Sequence, residues 1–255
     1  MSLGYTDCQM NLRRIIKHLF KDQLLKVRSI RYKGEKYHCP LCNFSASQFL
    51  GSPDGERTNV RCPRCSSLER HRAQWIFALS ELEHSGNDHF SILHFSPEFC
   101  LSSKFFKIKS CDYKTACFSS TTTDYIIDIQ NIRLDSESFD FVICNHILEH
   151  VENDRLAMSE LCRILKPGGK AFIQVPLDND MEKTIEDSSI KEPMERARIF
   201  GQEDHLRLYG RDIVSRLSDS GFMVNYIEYW KQYPVEKLNY YCLGESEPVI
   251  ICQKS

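Results

Sequence analysis

Short apolar segments alternate with amphipathic segments along the second two thirds of the chain. Residues 139–144 and 171–175 are short apolar runs, which is typical of strands buried on both faces of a sheet. Between them, Ala157, Leu161 and Leu165 recur at helical spacing and predict one apolar helix face. The three segments therefore predict a strand, a helix and a second strand, which together form one βαβ unit.

The same alternation extends on both sides of this unit. Further strands are predicted at residues 92–95, 113–117, 125–129, 223–229 and 249–252, and helices at residues 98–107 and 210–221. Strands that alternate with helices indicate an α/β fold with a doubly wound, mostly parallel, Rossmann-like sheet of seven strands.

The sequence predicts four regions, and the last of them is this domain. Residues 1–36 form a predicted basic amphipathic helical segment, whose charges indicate a solvated face, with a polyanion surface as the alternative. Its predicted apolar face contains Leu12, Ile15, Ile16, Leu19 and Phe20. Residues 37–66 contain paired cysteines, and residues 67–88 predict a connecting helix and linker. The main domain then covers residues 89–255, with a lid insert at about 181–210.

The paired cysteines predict a zinc site. Cys39 and Cys42 form one CxxC pair, Cys62 and Cys65 form a second, and 19 residues separate the pairs. Each CxxC turn brings two sulfurs together, and two such turns complete the tetrahedron that Zn²⁺ prefers. A redox role is the alternative, but it requires only one pair. Because all four ligands are protein sulfurs, the predicted zinc is structural and the module is a small zinc ribbon.

Composition limits the predicted binding partners and cellular location of the protein. The chain has 255 residues, a net charge of −2 and twelve cysteines. The charge gives no general case for binding nucleic acid, and no apolar run is long enough for membrane insertion. Scattered thiols beside a metal site, without a secretory leader, predict a reducing, cytoplasmic location.

Three motifs carry a resemblance to a known family. They are the strand at Phe139–Ile143, the segment Leu148-Glu149-His150-Val151 and the helix end Leu165-Lys166-Pro167-Gly168-Gly169. In this order and at these distances they resemble class I S-adenosylmethionine (SAM)-dependent methyltransferases of type 11. The junction after the cysteines, the strand end at residues 93–98 and the motif at residues 200–210 resemble a subgroup with an N-terminal zinc ribbon. The resemblance implies an antiparallel last strand.

The resemblance also implies a cofactor site at the ends of the strands. The residues it assigns to SAM are Phe95, Ser96 and Glu98 after the first strand, Cys117 after the second, Asp128 and Ile129 after the third, and Asn145 after the fourth. Two of these positions depart from the family. The turn at residues 94–98 lacks glycine, and Cys117 stands where an acidic residue usually holds the ribose.

Candidate catalytic residues follow from the same motifs. His146, His205 and Tyr209 are candidates for a general base, since histidine titrates near neutral pH. For His150 we favour a hydrogen-bonding role. Arg207 is a candidate for clamping a substrate carboxylate or phosphate.

Three functions are compatible with these motifs. The favoured one is methyl transfer from SAM to a small-molecule or sugar-containing metabolite. An RNA or protein methyltransferase that uses the ribbon for recognition is the second. A non-catalytic binding protein with a degenerate cofactor site is the third, because fold alone does not settle function.

Overall fold

The computed structural model describes residues 16, 19–84, 88–119, 122–244 and 247–255. A helix (α1, residues 19–30) leads into an antiparallel pair of strands, β1 (Lys33–Cys39) and β2 (Phe44–Ala46). Helix α2 (Glu69–His84) then precedes the large domain. The remaining elements are β3 (Phe90–Phe95), α3 (Phe99–Phe105), β4 (Cys111–Cys117), β5 (Tyr125–Ile126), β6 (Phe139–Asn145), α4 (Asp154–Ile164), β7 (Leu165–Gln174), β8 (Ile185–Glu186), α5 (Pro193–Phe200), β9 (Arg207–Leu208), α6 (Ile213–Asp219), β10 (Phe222–Ile227), a 3-10 turn (Tyr229–Lys231), α7 (Val235–Tyr241) and β11 (Val249–Lys254).

The large sheet confirms the predicted fold class. Its seven strands lie in the order β10-β11-β7-β6-β3-β4-β5. Neighbours from β7 to β5 are parallel, and β11 is antiparallel to both β10 and β7. Successive residues of β3 enter different cores, with Ile92 on one face of the sheet and Leu93 on the other. Burial on both faces explains why the strands are nearly continuous apolar runs.

Two predicted segments differ from the observed elements. The strand predicted at residues 125–129 has only two residues, since the chain turns at Asp128 to Gln130. Strand β7 begins at Leu165 rather than at Ala171, directly after α4 ends. A register shift in the pairing of β6 with β7 accommodates Gly168, which has a φ of 74°. The helix stop predicted at residues 166–169 is therefore a bulged strand start.

The predicted apolar face of α1 does not pack against the described part of the chain. Ile16, Leu19 and Phe20 are exposed, and the other two predicted members, Leu12 and Ile15, lie outside the described residues. The helix instead contacts the ribbon through another face. Leu25 is buried there, and Arg28 donates hydrogen bonds to the Pro63 carbonyl and to Ser66 Oγ. These contacts fix the rotation of α1 and leave the apolar stripe uncovered by described residues.

The cysteine module is docked on the large domain. Strand β1 begins at Lys33, a few residues before the predicted ribbon. Arg72 of α2 joins the two parts, because its fully buried guanidinium donates to the carbonyls of Ser67 and Tyr241. The His38 ring also stacks on Tyr240 of α7 at 5.7 Å. The ribbon therefore forms one wall beside the sheet.

The lid insert packs closely against the domain. Strands β8 and β9 pair within it, and α5 lies between them. The Leu206 amide donates to the Glu149 carbonyl at 2.8 Å, which ties the lid to the loop after β6. Across the part of the chain that the structure describes, no helix has the length and apolar character needed to cross a membrane.

Candidate active site

A cleft opens at the carboxyl end of the parallel strands. Its volume is about 500 Å³, and its lining includes residues of the ribbon, of the loop after β6 and of the lid. The ribbon contributes Arg57, the loop after β6 contributes His146 and Glu149, and the lid contributes Phe200 and His205. Ligands of open α/β sheets bind at this edge, so the cleft lies where the topology predicts a functional site.

His146 lies at the centre of the cleft wall. It follows β6 directly and has a φ of 51°, a conformation that non-glycine residues adopt mainly at functional sites. Its Nδ1 is 3.4 Å from Glu149 Oε1, and its Nε2 is 3.4 Å from Glu247 Oε2. Burial disfavours the charged ring, but these two carboxylates outweigh it and raise the pKa of His146 to about 9. The ring therefore holds its proton at neutral pH, which suits an electrostatic role better than that of a base.

His150 and His205 meet on the same wall. Their rings contact edge to face at 4.8 Å between centroids, and Nδ1 of His205 lies 2.8 Å from the Phe200 carbonyl. His205 therefore reaches the cleft from the lid. His150, for which the sequence favoured a hydrogen-bonding role, also borders the cleft.

The other two residues of the late motif lie beneath the cleft. Tyr209 is fully buried, and its hydroxyl donates to the Leu148 carbonyl and to Asp154. Burial, with the nearby Asp154 charge, raises the pKa of Tyr209 well above its usual value. Arg207 is 3% exposed and donates to the carbonyls of Leu148 and Val151, among others. Because both side chains bond to protein groups, they hold the loop after β6, and their catalytic and substrate-binding roles stay predictions.

The cofactor side of the site is a buried polar network. His94 Nε2 lies 2.9 Å from Glu98 Oε2, and Asn145 donates to Glu98 Oε1 at 3.0 Å. Gln74 of α2 exchanges two hydrogen bonds with Asn145. Burial opposes ionisation of Glu98, but the hydrogen bond and charge of His94, with His71 nearby, lower its pKa to about 2. Glu98 is therefore a well-supported anion at the end of β3.

The glycine-free turn adopts the backbone that glycine would favour. Ser96 is exposed and has a φ of 44°. Its Oγ lies 3.7 Å from Cys117 Sγ, so the two departures from the family pattern are adjacent. Phe95 beneath them is buried in the core. The turn therefore reaches a left-handed conformation at the cost of local backbone strain.

Asp128 and Ile129 lie beyond β5. Asp128 is half-buried, and its Oδ1 accepts from the Gln130 amide at 2.9 Å. Ile129 is buried in the core on one face of the sheet. The structure thus places all seven predicted cofactor residues at the carboxyl edge of β3 to β6.

Sequence reasoning missed several polar residues of the site. Gln74 and Arg70 come from α2, where they stand among apolar residues in an ordinary helical pattern. Glu247 precedes β11 and lies beside His146, and no motif marks it. The polar side chains on the buried side of α2 are the one feature that could have pointed to these residues.

The four predicted zinc ligands converge. Their Sγ atoms lie within 4.8 Å of one another, and the pairs Cys39–Cys65 and Cys42–Cys62 are each 3.7 Å apart. Four sulfurs at about 2.3 Å from one Zn²⁺ would be about 3.8 Å apart, so the cluster fits this ion. Ser67 Oγ lies 3.2 Å from Cys65 Sγ and provides an outer hydrogen-bonding partner.

Comparisons with known proteins identify the class. Residues 102–173 match the sequence profile of the family described as "Methyltransferase domain". A candidate sarcosine dimethylglycine methyltransferase from Galdieria sulphuraria is similar in structure, with 15% identity, a TM-score of 0.51, and coverage of 82% of this chain and 92% of that one. The CurJ carbon methyltransferase is also similar, with 14% identity, a TM-score of 0.50, and coverage of 72% and 53%.

No curated protein matches the chain significantly. At these identities the solved structures show the fold alone. Residues 102–173 match the profile of a methyltransferase domain, and the sheet that contains them has the Rossmann-like fold that the motifs predicted.

Proposed function

We propose that the protein transfers a methyl group from SAM to a small-molecule or sugar-containing metabolite bound in the cleft. The observation that carries this proposal is the cleft itself. At about 500 Å³ it has the size of a small-molecule site, and it lies between the methyltransferase sheet and the lid. Its wall holds His146 next to Asn145, a predicted cofactor residue.

The residues at the strand ends fit SAM. When bound, SAM supplies a methyl group that its sulfonium has already activated. Glu98 offers an ionised carboxylate to a cationic cofactor and Asp128 offers a second, while Asn145 donates to Glu98 and holds it in place. Ser96 provides the left-handed turn that brings the backbone close. Cys117 is a weaker acceptor than the usual acid, so we expect a modest affinity.

The protein contributes mainly positioning. An in-line displacement accelerates when the reacting atoms are held in line and at contact distance. The protonated His146 and the carboxylates of Glu149 and Glu247 orient a polar acceptor, and the packed lid restricts water. A base is required only when the acceptor must lose a proton.

The ribbon supports this site through a structural zinc ion. Cys39, Cys42, Cys62 and Cys65 would hold it, and the fit of their spacing supports the assignment. Buried cysteines outside this cluster, such as Cys144 and Cys252, are free thiols. That state supports the proposal of a reducing, cytoplasmic environment.

Calorimetry with S-adenosylhomocysteine tests the proposal. We expect the zinc-replete protein to bind one equivalent, and Asp128→Asn to weaken binding roughly tenfold because a charged acceptor is lost. Asp135→Asn, at an exposed position outside the site, is the matched control and should bind like the wild type. No binding to the wild type would support the non-catalytic alternative. Tight RNA binding with a steep salt dependence would support the RNA alternative.

A further inference from the structure

We propose that Glu149, His150 and His205 bind a divalent first-row transition metal ion on the wall of the cleft. Glu149 and His150 belong to the loop after β6, whereas His205 belongs to the lid. Their ligand atoms all lie within 4.8 Å of one another. The metal would therefore join the lid to the methyltransferase domain.

The first observation is the state of the Glu149 carboxylate. Its side chain is 1% exposed, and neither oxygen has a hydrogen-bond partner among the residues that the structure describes. Glu149 Oε1 lies 3.4 Å from His146 Nδ1 and 3.9 Å from His150 Nε2. Burying a carboxylate without hydrogen bonds is costly, and the charge of His146 at 3.4 Å offsets only part of that cost, so coordination to a metal cation would supply further compensation.

The second observation is the orientation of both histidines. Nδ1 of His205 is 2.8 Å from the Phe200 carbonyl, and Nδ1 of His150 is 3.3 Å from the Asp204 carbonyl. Carbonyl oxygens only accept, so each Nδ1 carries the proton and each Nε2 keeps its lone pair. Histidines that bind metals are held in this way, with the second ring nitrogen donating to a carbonyl or carboxylate.

The spacing of the ligand atoms requires an adjustment. Ligands at about 2.1 Å from one ion are about 3.0–3.4 Å apart, so atoms that lie within 4.8 Å of one another must approach by up to about 1.4–1.8 Å. Rotation of His150, the most exposed of the three, can supply much of this movement. Three protein ligands leave open coordination positions, as in catalytic rather than structural metal sites.

The donor set selects the kind of metal. Two imidazoles and one carboxylate suit Mn²⁺, Fe²⁺, Co²⁺ or Zn²⁺ better than Mg²⁺ or Ca²⁺, which prefer oxygen alone. The set also differs from the four thiolates of the ribbon, which select zinc. Mn²⁺ binds thiolates weakly and can therefore report on the new site separately.

The metal would have a direct use in the cleft. Its open positions would coordinate an oxygen of the acceptor and hold it in place for transfer. This use rests on the proposed function, whereas metal binding by the three residues does not. The two ideas can therefore be tested separately.

Metal titration of the full-length protein tests the inference. With zinc retained in the ribbon, free Mn²⁺ is followed by electron paramagnetic resonance, and bound Co²⁺ by its absorption bands. We expect one further equivalent of Mn²⁺ or Co²⁺ to bind. Glu149→Gln and His205→Ala should each weaken that uptake at least tenfold while leaving the ribbon zinc unchanged.

Matched controls and an independent measurement complete the test. Glu203→Gln and His84→Ala alter exposed residues of the same types and should keep full uptake. Glu149→Gln preserves side-chain shape, and an unchanged zinc content and circular dichroism would show that it folds. Absence of uptake of both ions, or equal uptake in the variants and the wild type, would overturn the metal site. If S-adenosylhomocysteine still binds in that case, the proposed function survives, and if only the metal binds, the proposed function fails alone.

Discussion

Two clusters of metal-ligand side chains lie in the described structure, and they are built in different ways. The four-cysteine cluster (Cys39, Cys42, Cys62 and Cys65) comes from two tight turns within one short module. The Glu149 cluster (Glu149, His150 and His205) comes from the loop after β6 and from the lid. Two pairs of sulfurs are already spaced for zinc, whereas the atoms of the Glu149 cluster must still approach one another by up to about 1.4–1.8 Å.

This difference in construction indicates that the four-cysteine cluster is structural and that the Glu149 cluster is suited to function. The sulfurs close their site from all sides and are buried or half-buried within the ribbon. The Glu149 cluster borders the cleft, has only three protein ligands and contains a carboxylate without hydrogen bonds in the described structure. Local geometry stabilises the first cluster, and contacts between distant segments assemble the second.

The largest effect is expected from breaking the four-cysteine cluster. Structural zinc contributes roughly 10–16 kcal/mol of binding free energy to small zinc modules, so Cys39→Ser should release the metal and unfold the ribbon. Elemental analysis and limited proteolysis of residues 33–66 measure both consequences. Cys111→Ser alters a half-buried thiol outside the cluster and should retain zinc. Stoichiometric zinc in the Cys39→Ser variant would contradict a four-sulfur site.

A smaller effect is expected from Arg207, which holds the loop of the Glu149 cluster. Its guanidinium bonds the carbonyls on both sides of Glu149 and His150, and a lysine cannot reproduce that planar fork. Arg207→Lys should lower the free energy of unfolding by about 3 kcal/mol and weaken Mn²⁺ uptake, with ribbon zinc retained. Chemical denaturation and metal titration check this result.

Arg198 provides the matched control for that substitution. Its side chain is 73% exposed on α5 in the same lid, so Arg198→Lys should change stability by less than about 0.5 kcal/mol. Equal effects of the two substitutions would contradict the role of Arg207 in holding the loop and leave the substrate-clamping role that the sequence predicted.

The smallest effect is expected from removing the charge of Glu98, whose carboxylate accepts hydrogen bonds. The comparison is Glu149, whose carboxylate accepts none in the described structure. The pKa of Glu98 is about 2, below its usual value of 4.5. A lowered pKa means that the ionised form stabilises the fold above about pH 4.5, and that this stability is lost as the pH falls towards 2. The full contribution is about 3 kcal/mol or less.

Denaturation of wild type and Glu98→Gln at several pH values measures this contribution. The difference in unfolding free energy should be largest near pH 6 and shrink towards pH 3, where Glu98 begins to lose its advantage. Glu149→Gln, measured in metal-free buffer, is the comparison and should destabilise less than Glu98→Gln, since Glu149 has no hydrogen bond to lose and keeps only the attraction of its charge to His146. A difference for Glu98→Gln that does not vary with pH would contradict the role of its hydrogen bonds with His94 and Asn145.

The elements of the fold were largely predictable from local patterns. Apolar runs marked β3, β4, β6, β7, β10 and β11, and Asn153 caps α4 by accepting from the Leu156 amide. The apolar side of α1 was not predictable, because the face that packs depends on where the ribbon lies. Ion pairs such as Asp22 with Arg64 fix that placement through residues of another segment.

The candidate site was predictable in its location but only partly in its members. The motifs indicated His146, Asn145 and His205, which border or adjoin the cleft. The motifs could not show that Arg207 and Tyr209 are buried. Sequence alone does not distinguish an exposed side chain that binds substrate from a buried one that holds a loop. Gln74 and Glu247 reach the site from outside the motifs.

The sequence by itself determined the order of strands and helices, the methyltransferase class and the convergence of the four cysteines. Each of these depends on spacing between residues that are close along the chain. Only the tertiary structure decided that Glu149 is buried without hydrogen-bond partners among the described residues and faces His150 and His205. Burial and partnership depend on contacts between distant segments, and no local spacing encodes them.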